Sequence, residues 1–286
     1  MSTVFAPRHA IVTASDSGIG AATAVAGAVM QGLFRNPLAD PGIVGVSSGA
    51  ALAAALWIVA GASALGGVLG PLAAFLGGLA ATAVLQLIAT REGRTSVVVV
   101  LLAGIALTGF AGAMTGLLIF VSSDQELRDF TFWTLGSLGG ATWVKVGLAL
   151  PFALGLALLS LRLARGLDAL ALGEADAHYS GVDVERVKRV AMIGVAAGIG
   201  AAVAVSGVIA FFGLMVPHLV RLVLGPGHRL LLPVVALAGA GLLTLADVFA
   251  RTVAAPAELP LGVVTAAVGA PLMLWLLLRR MRALVG

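Results

Sequence analysis

Of the 286 residues, 60% are hydrophobic and 10% are charged, with a mean hydropathy of +1.10. A soluble domain carries about 25% charged residues, so this chain lacks the polar groups to cover its own surface and is read as an all-α, polytopic transmembrane helical bundle. The absence of cysteine excludes disulfides, thiolate metal sites and cysteine nucleophiles, and the net charge of +4 matters less than where the charges fall.

The chain opens on a β-branched run, residues 9–12, followed by TASDSGIGAATA from Thr13 to Ala24. A hydrophobic run, a Gly-x-Gly turn and small helix formers are how a dinucleotide-binding strand–turn–helix begins. The stretch resembles the cofactor turn of short-chain dehydrogenases, with Ala14 where the first glycine belongs. Function does not follow. The alternating strands and helices of that fold are absent, the only tyrosine, Tyr179, is followed four residues on by Asp183, and neither Lys145 nor Lys188 has a tyrosine at the catalytic spacing. Both lysines follow valine, so a Walker A loop is excluded too, and ATP hydrolysis would reside in a partner. Met1 to Ser17 lacks the basic start and apolar core of a cleavable signal peptide.

Apolar runs between polar punctuation predict nine spans: residues 18–34, 44–67, 69–90, 97–121, 143–164, 190–207, 208–224, 230–249 and 262–278. The sixth and seventh run together around Ser206 and Gly207, so one of them is expected to be broken or re-entrant. Arg35, Arg91, Arg94, Arg162, Arg165, Arg186, Lys188, Arg189, Arg221, Arg229, Arg279, Arg280 and Arg282 fall in alternate connections or at the C-terminus. They are thirteen of the seventeen basic residues, and the positive-inside rule makes their side cytoplasmic. The acidic segment 122–142 and the segment 251–261 then face outward. The pairs Gly66 and Gly70, Gly112 and Gly116, and Gly194 and Gly198 are small-xxx-small spacings, expected to pack helices closely; a channel lining is the alternative.

Four motifs carry more than hydropathy. In Arg35-Asn-Pro-Leu-Ala-Asp-Pro41, Pro37 and Pro41 stop a helix and Arg35 anchors at the headgroups, with Ser47 and Ser48 placed to cap the next helix. Residues 171–189 form the longest polar stretch, cytoplasmic by the charge rule. Val216-Pro-His-Leu-Val-Arg221 approaches the same face, and its His218 is read as structural rather than as a haem ligand. Asp247 and Arg251 lie four apart on one helix and can pair.

These motifs stand in the runs GAVMQGLFRNPLADPGIVGVSSGAALAA (27–54), ALGEADAHYSGVDVERVKR (171–189), VSGVIAFFGLMVPHLVRLVLGPGHRLLLP (205–233) and ADVFARTVAAPAELPLGVVTAAVGAPLMLWLLLRR (246–280). From about Ala26 onward the chain resembles FecCD-type permeases, the membrane subunits of ATP-binding-cassette importers for haem, ferric siderophores and cobalamin. The resemblance implies a homodimer in the bacterial inner membrane, two cytoplasmic ATPase subunits, a periplasmic substrate-binding protein, and no cofactor or metal bound by this chain. It implies ATPase coupling through Gly173, Glu174, Ala175, Gly181 and Val182, the alternative being a solvated loop. It makes Arg251, with Glu258, the candidate for binding-protein docking, a headgroup anchor being the alternative. Small residues at Gly104, Thr108, Gly112 and Thr115 are expected along the translocation pathway, because they leave room at a subunit interface. Phe132 to Trp143 and the Ala-Pro-Ala-Glu-Leu-Pro segment are similar to the haem branch, so haem is the expected cargo, ahead of siderophore and cobalamin.

The family has ten spans and the nine here lack the first, so residues 1–17 are expected to be a dehydrogenase-like fragment and 18–286 the permease domain. A natural nine-span variant, or a non-transporting remnant, are the alternatives. An ion-coupled carrier is disfavoured, since mid-span acidic residues are nearly absent.

Overall fold

The computed structural model describes residues 5–62 and 68–285, with side chains at 12–62, 68–276 and 278. In chain order these residues form α1 (Phe5–Leu33), a 3-10 turn (Pro41–Val44), α2 (Val46–Val59), α3 (Leu69–Ala89), a hairpin of β1 (Thr90–Arg91) and β2 (Arg94–Thr95), and α4 (Val97–Val121). There follow α5 (Asp124–Leu135), α6 (Trp143–Leu172), α7 (Glu174–Tyr179), α8 (Val184–Ser206), α9 (Phe212–Leu224), α10 (His228–Val253) and α11 (Leu261–Val285). Each of the nine expected spans has its helix. By length and composition α3, α4, α6, α8 and α10 can each cross a bilayer, while Val46–Val59, Phe212–Leu224 and Leu261–Leu276 are shorter apolar helices. The tail of the second expected span past residue 62, and Gly66, lie outside the described residues.

Helix ends differ from the apolar runs in a consistent direction. α1 starts at Phe5 rather than at residue 18, and the whole TASDSGIGAATA stretch is helical. Nothing in it must stop a helix, and the polar Ser15 and Asp16 turn inward, 7% and 1% exposed, so they never meet lipid. α6 runs past Arg162 and Arg165 to Leu172, and α8 begins at Val184, carrying Arg186, Lys188 and Arg189 in its first turns. Hydropathy marks the part of a helix inside hydrocarbon; the backbone hydrogen bonds continue beyond it.

The predicted break between the sixth and seventh spans is present. α8 ends at Ser206, Gly207 turns at φ +71°, and residues 207–209 are irregular before a turn at 210–211, with Phe211 left-handed at φ +63°, leads into α9, which is only 13 residues long. A side chain at Gly207 would strike the Trp133 carbonyl, so glycine is required there on two grounds. The connector after α1 also behaves as its prolines suggest: the Asp40 carboxylate accepts from the Gly42 amide at 2.7 Å and caps the 3-10 turn. Ser47 and Ser48 do not cap α2, however. Gly45 holds that position without a side-chain bond, and the Ser48 hydroxyl donates to the Gly45 carbonyl at 3.1 Å.

The bundle is organised around α8, which packs on α1, α2, α3 and α6. Of its most apolar window 72% is buried, against 17% for α4. Glycine sets the closest approaches. α1 and α10 meet where Gly20 and Gly239 face each other's carbonyls, and α2 and α3 where Gly49 and Gly77 do the same. Gly194 and Gly198 receive Leu159 and Leu156 of α6, as the spacing predicted, whereas Gly112 and Gly116 meet nothing within 4 Å. Without water, such tight van der Waals packing must supply what hydrophobic burial supplies elsewhere.

Candidate functional site

At the basic end of the bundle, α7 is a single short helix bracketed by Gly173 at φ +130° and Gly181 at φ +80°. Gly173 ends α6 and starts α7 in one residue, a conformation other side chains resist. The bracket presents Glu174, Ala175, Gly181 and Val182 together along a cleft of about 770 Å³, joined by His178, Asp183, Val184, Glu185 and, from the hairpin, Arg94. Four of the five residues expected to couple to an ATPase therefore line one concave surface, and Gly173 lies beside it.

Beneath the cleft lies a feature the sequence did not reveal. Lys188, counted only among the cytoplasmic basic residues, has a side chain 3% exposed, and its Nζ donates to Glu174 Oε2 at 2.8 Å, Glu185 Oε1 at 3.1 Å and the Thr95 carbonyl at 2.8 Å. The Thr95 amide in turn donates to Glu185 Oε2 at 2.8 Å. The Glu185 partnership was legible at helical spacing; the other two are tertiary. At the same end His228 is buried, its Nδ1 2.7 Å from Asp168 Oδ1, joining the start of α10 to α6.

On α4 the expected pathway residues divide. Thr108 and Gly112 are exposed and Thr115 is half-buried. Thr108 Oγ1 lies 3.4 Å from the Ser48 hydroxyl. Gly104 departs from the expectation: it is buried, and a Cβ there would lie 2.2 Å from the Ile43 carbonyl, so its smallness admits the 3-10 turn rather than opening a passage.

At the opposite end the expected Asp247–Arg251 pair forms through Nε of Arg251, and Arg251 Nη1 also reaches Glu258 Oε1 at 3.2 Å. Arg251 and Glu258 thus engage each other, with Asp16 of α1 buried beside Asp247. The outer segment after residue 122 is helical rather than a plain connection. Ser123 and Glu126 form a reciprocal capping box that starts α5. The last turn of α5 carries Phe132 and Trp133, which with Trp57, Pro71, Ser137 and Lys145 line a cavity of about 330 Å³. Lys145 Nζ donates to the Gly140 carbonyl at 2.9 Å. Among the described residues no group of three His, Asp or Glu is arranged to hold a metal ion.

The FecCD transport family profile matches residues 4–279, starting ahead of Thr13 and running through the whole stretch that resembles a dehydrogenase turn. The haemin transport system permease protein HmuU of Yersinia pestis is 48% identical over 270 residues, covering 92% of this chain and 79% of that protein. The cobalamin import system permease protein BtuC of Halobacterium salinarum is 46% identical over 267 residues, covering 93% and 71%. A solved inward-facing transporter described as of metal-chelate ABC type superposes with a TM-score of 0.86 at 32% identity, over 93% of this chain and 86% of the other. PsaBC from Streptococcus pneumoniae shares the fold at a TM-score of 0.62 and 14% identity, over 92% and 88%.

Proposed function

The chain belongs to the FecCD transport family, and from that premise we propose that it is the membrane subunit through which an ATP-binding-cassette importer of the inner membrane moves haem into the cytoplasm. The observation that carries the cargo is the 48% identity to a haemin permease, sustained over 92% of this chain. The outer cavity agrees with it. Trp57, Phe132 and Trp133 offer flat apolar faces, and Lys145 supplies a cation toward which the carboxylates of a porphyrin would turn. Cobalamin is the second reading, favoured by the 46% identity to a cobalamin permease.

In this reading a second copy of the chain covers the exposed face of α4, and Thr108, Gly112 and Thr115 border the passage between the copies. Two ATPase subunits seat against the α7 cleft, and the chain itself hydrolyses nothing. A periplasmic binding protein approaches the outer end, where Arg251 and Glu258 receive it. The deciding experiment is co-expression with candidate ATPase and binding-protein partners, followed by uptake into vesicles. ATP-dependent accumulation of haem, not suppressed by excess cobalamin, is expected. Uptake of cobalamin without haem would overturn the cargo assignment.

A further inference from the structure

The buried ammonium under α7 does more than stabilise a loop. Its three donors are matched one to one with three acceptors, and the acceptors come from three separate elements: Glu174 opens α7, Glu185 belongs to the first turn of α8, and Thr95 closes the hairpin. Thr95 is held at both backbone groups, since its amide donates to the second oxygen of Glu185. The next residue, Ser96, is the N-cap of α4; its hydroxyl accepts from the Val99 amide and its own amide donates to the Ala89 carbonyl. Thr95 is itself buried, and its hydroxyl lies 3.1 Å from that of Thr90 across the hairpin. From α7 to α4 the path therefore consists of one side-chain contact at Glu174, one ammonium and one residue, Thr95, held at both its backbone groups.

We propose that Lys188 is a positioning residue that locks α7 to the start of α4, so that displacement of α7 is carried into the helix bearing Thr108 and Gly112. The proposal rests on the coupling reading of α7 given above. Its physical basis is that without Glu174 the buried ammonium keeps Glu185 and the Thr95 carbonyl but has one N–H left unsatisfied, so the node resists partial opening. α7 either takes Thr95 with it or must pull the half-exposed Glu174 carboxylate off an ammonium that is only 3% exposed. A solvated loop joined to α8 by covalent continuity alone would move without α4.

The chain has no cysteine, so two introduced cysteines are the only labelling sites. Tyr179→Cys on α7 and Val98→Cys on α4 occupy exposed positions. Spin labels there, read by pulsed dipolar spectroscopy on the purified full-length permease, should give a narrow distance distribution. Lys188→Met should broaden it, and in the assembled transporter the same replacement, without labels, should lower cargo moved per ATP by about fivefold or more. Glu185→Gln, which removes one carboxylate and keeps the ammonium, gives a second reading should Lys188→Met fail to fold, and is expected to broaden the distribution less. An unchanged distribution in these variants overturns the lock, and so does a broadened one with undiminished transport per ATP. The coupling reading fails separately, if bulky replacements at Glu174 and Gly181 leave transport intact and the ATPase bound.

Discussion

The α1–α9 crossing gives the sharpest structural prediction. A Cβ on Gly27 would lie 1.6 Å from the Gly213 carbonyl oxygen and 2.5 Å from its carbon. Ordinary carbon–oxygen contact needs about 3.3 Å, so Gly27→Ala leaves a shortfall of about 1.7 Å against the 1.6 Å observed. The opposing atoms are backbone, so no rotamer change relieves it and the helices must part. A gap of about 0.5–1 Å already forfeits a quarter to a half of a dispersion contact, which sets the cost near the top of the overpacking range, about 3 kcal/mol. For a chain of this size that corresponds to a fall in Tm of roughly 6–12 °C. The assay is loss of the monodisperse chromatographic peak after heating in detergent, with Gly155→Ala as control, because nothing lies within 4 Å of Gly155. If Gly27→Ala melts within about 2 °C of the parent, the spacing of α1 and α9 does not depend on this glycine and the reasoning fails; the parent scatter sets that threshold.

Replacing both Glu174 and Gly181 with tryptophan should leave ATP hydrolysis by the partner running while transport collapses; strain at the φ of +80° of Gly181 adds to the steric block. Normal transport with the ATPase still co-purifying sinks the coupling assignment. Arg251→Glu should weaken binding-protein affinity, and Glu258→Gln, which removes the second docking charge together with its 3.2 Å bond to Arg251, should weaken it less; surface plasmon resonance reads both, and affinities equal to the parent's would leave Arg251 a headgroup anchor. Gly112→Leu places bulk on the open face of α4 and should lower the dimer fraction in light scattering. An unaltered dimer would put that face toward lipid.

The spans were legible because lipid selects for apolar runs, and each run became a helix. Their ends were not, since α1, α6 and α8 continue where residues turn polar without meeting anything that breaks a backbone hydrogen bond. The α7 bracket was legible through its two glycines. Lys188 was visible only as a charge on the inner side, because its partners Glu174 and Thr95 stand 14 and 93 residues away. Gly104 and Gly112 looked alike along α4, and no local pattern could separate them. What divides them is the 3-10 turn at Ile43, brought against one and not the other by the fold.

The coverage of α8 and α4 runs opposite to their hydropathy. Of the five helices long and apolar enough to cross a bilayer, α4 is the most apolar and the least covered, and α8 the least apolar and the most covered. A helix that enters hydrocarbon on its own merit and one that is held there by neighbours are different objects during synthesis. α4 can leave the insertion machinery into lipid as soon as it is made, and α8 is apolar enough to enter as well, but α8 gains its packed setting only when α1, α2, α3 and α6 are assembled to receive it. The centre of this protein is thus its most conditional part: a lesion anywhere around it is first felt as failure to retain α8, and surveillance of unassembled membrane segments would find its signal there.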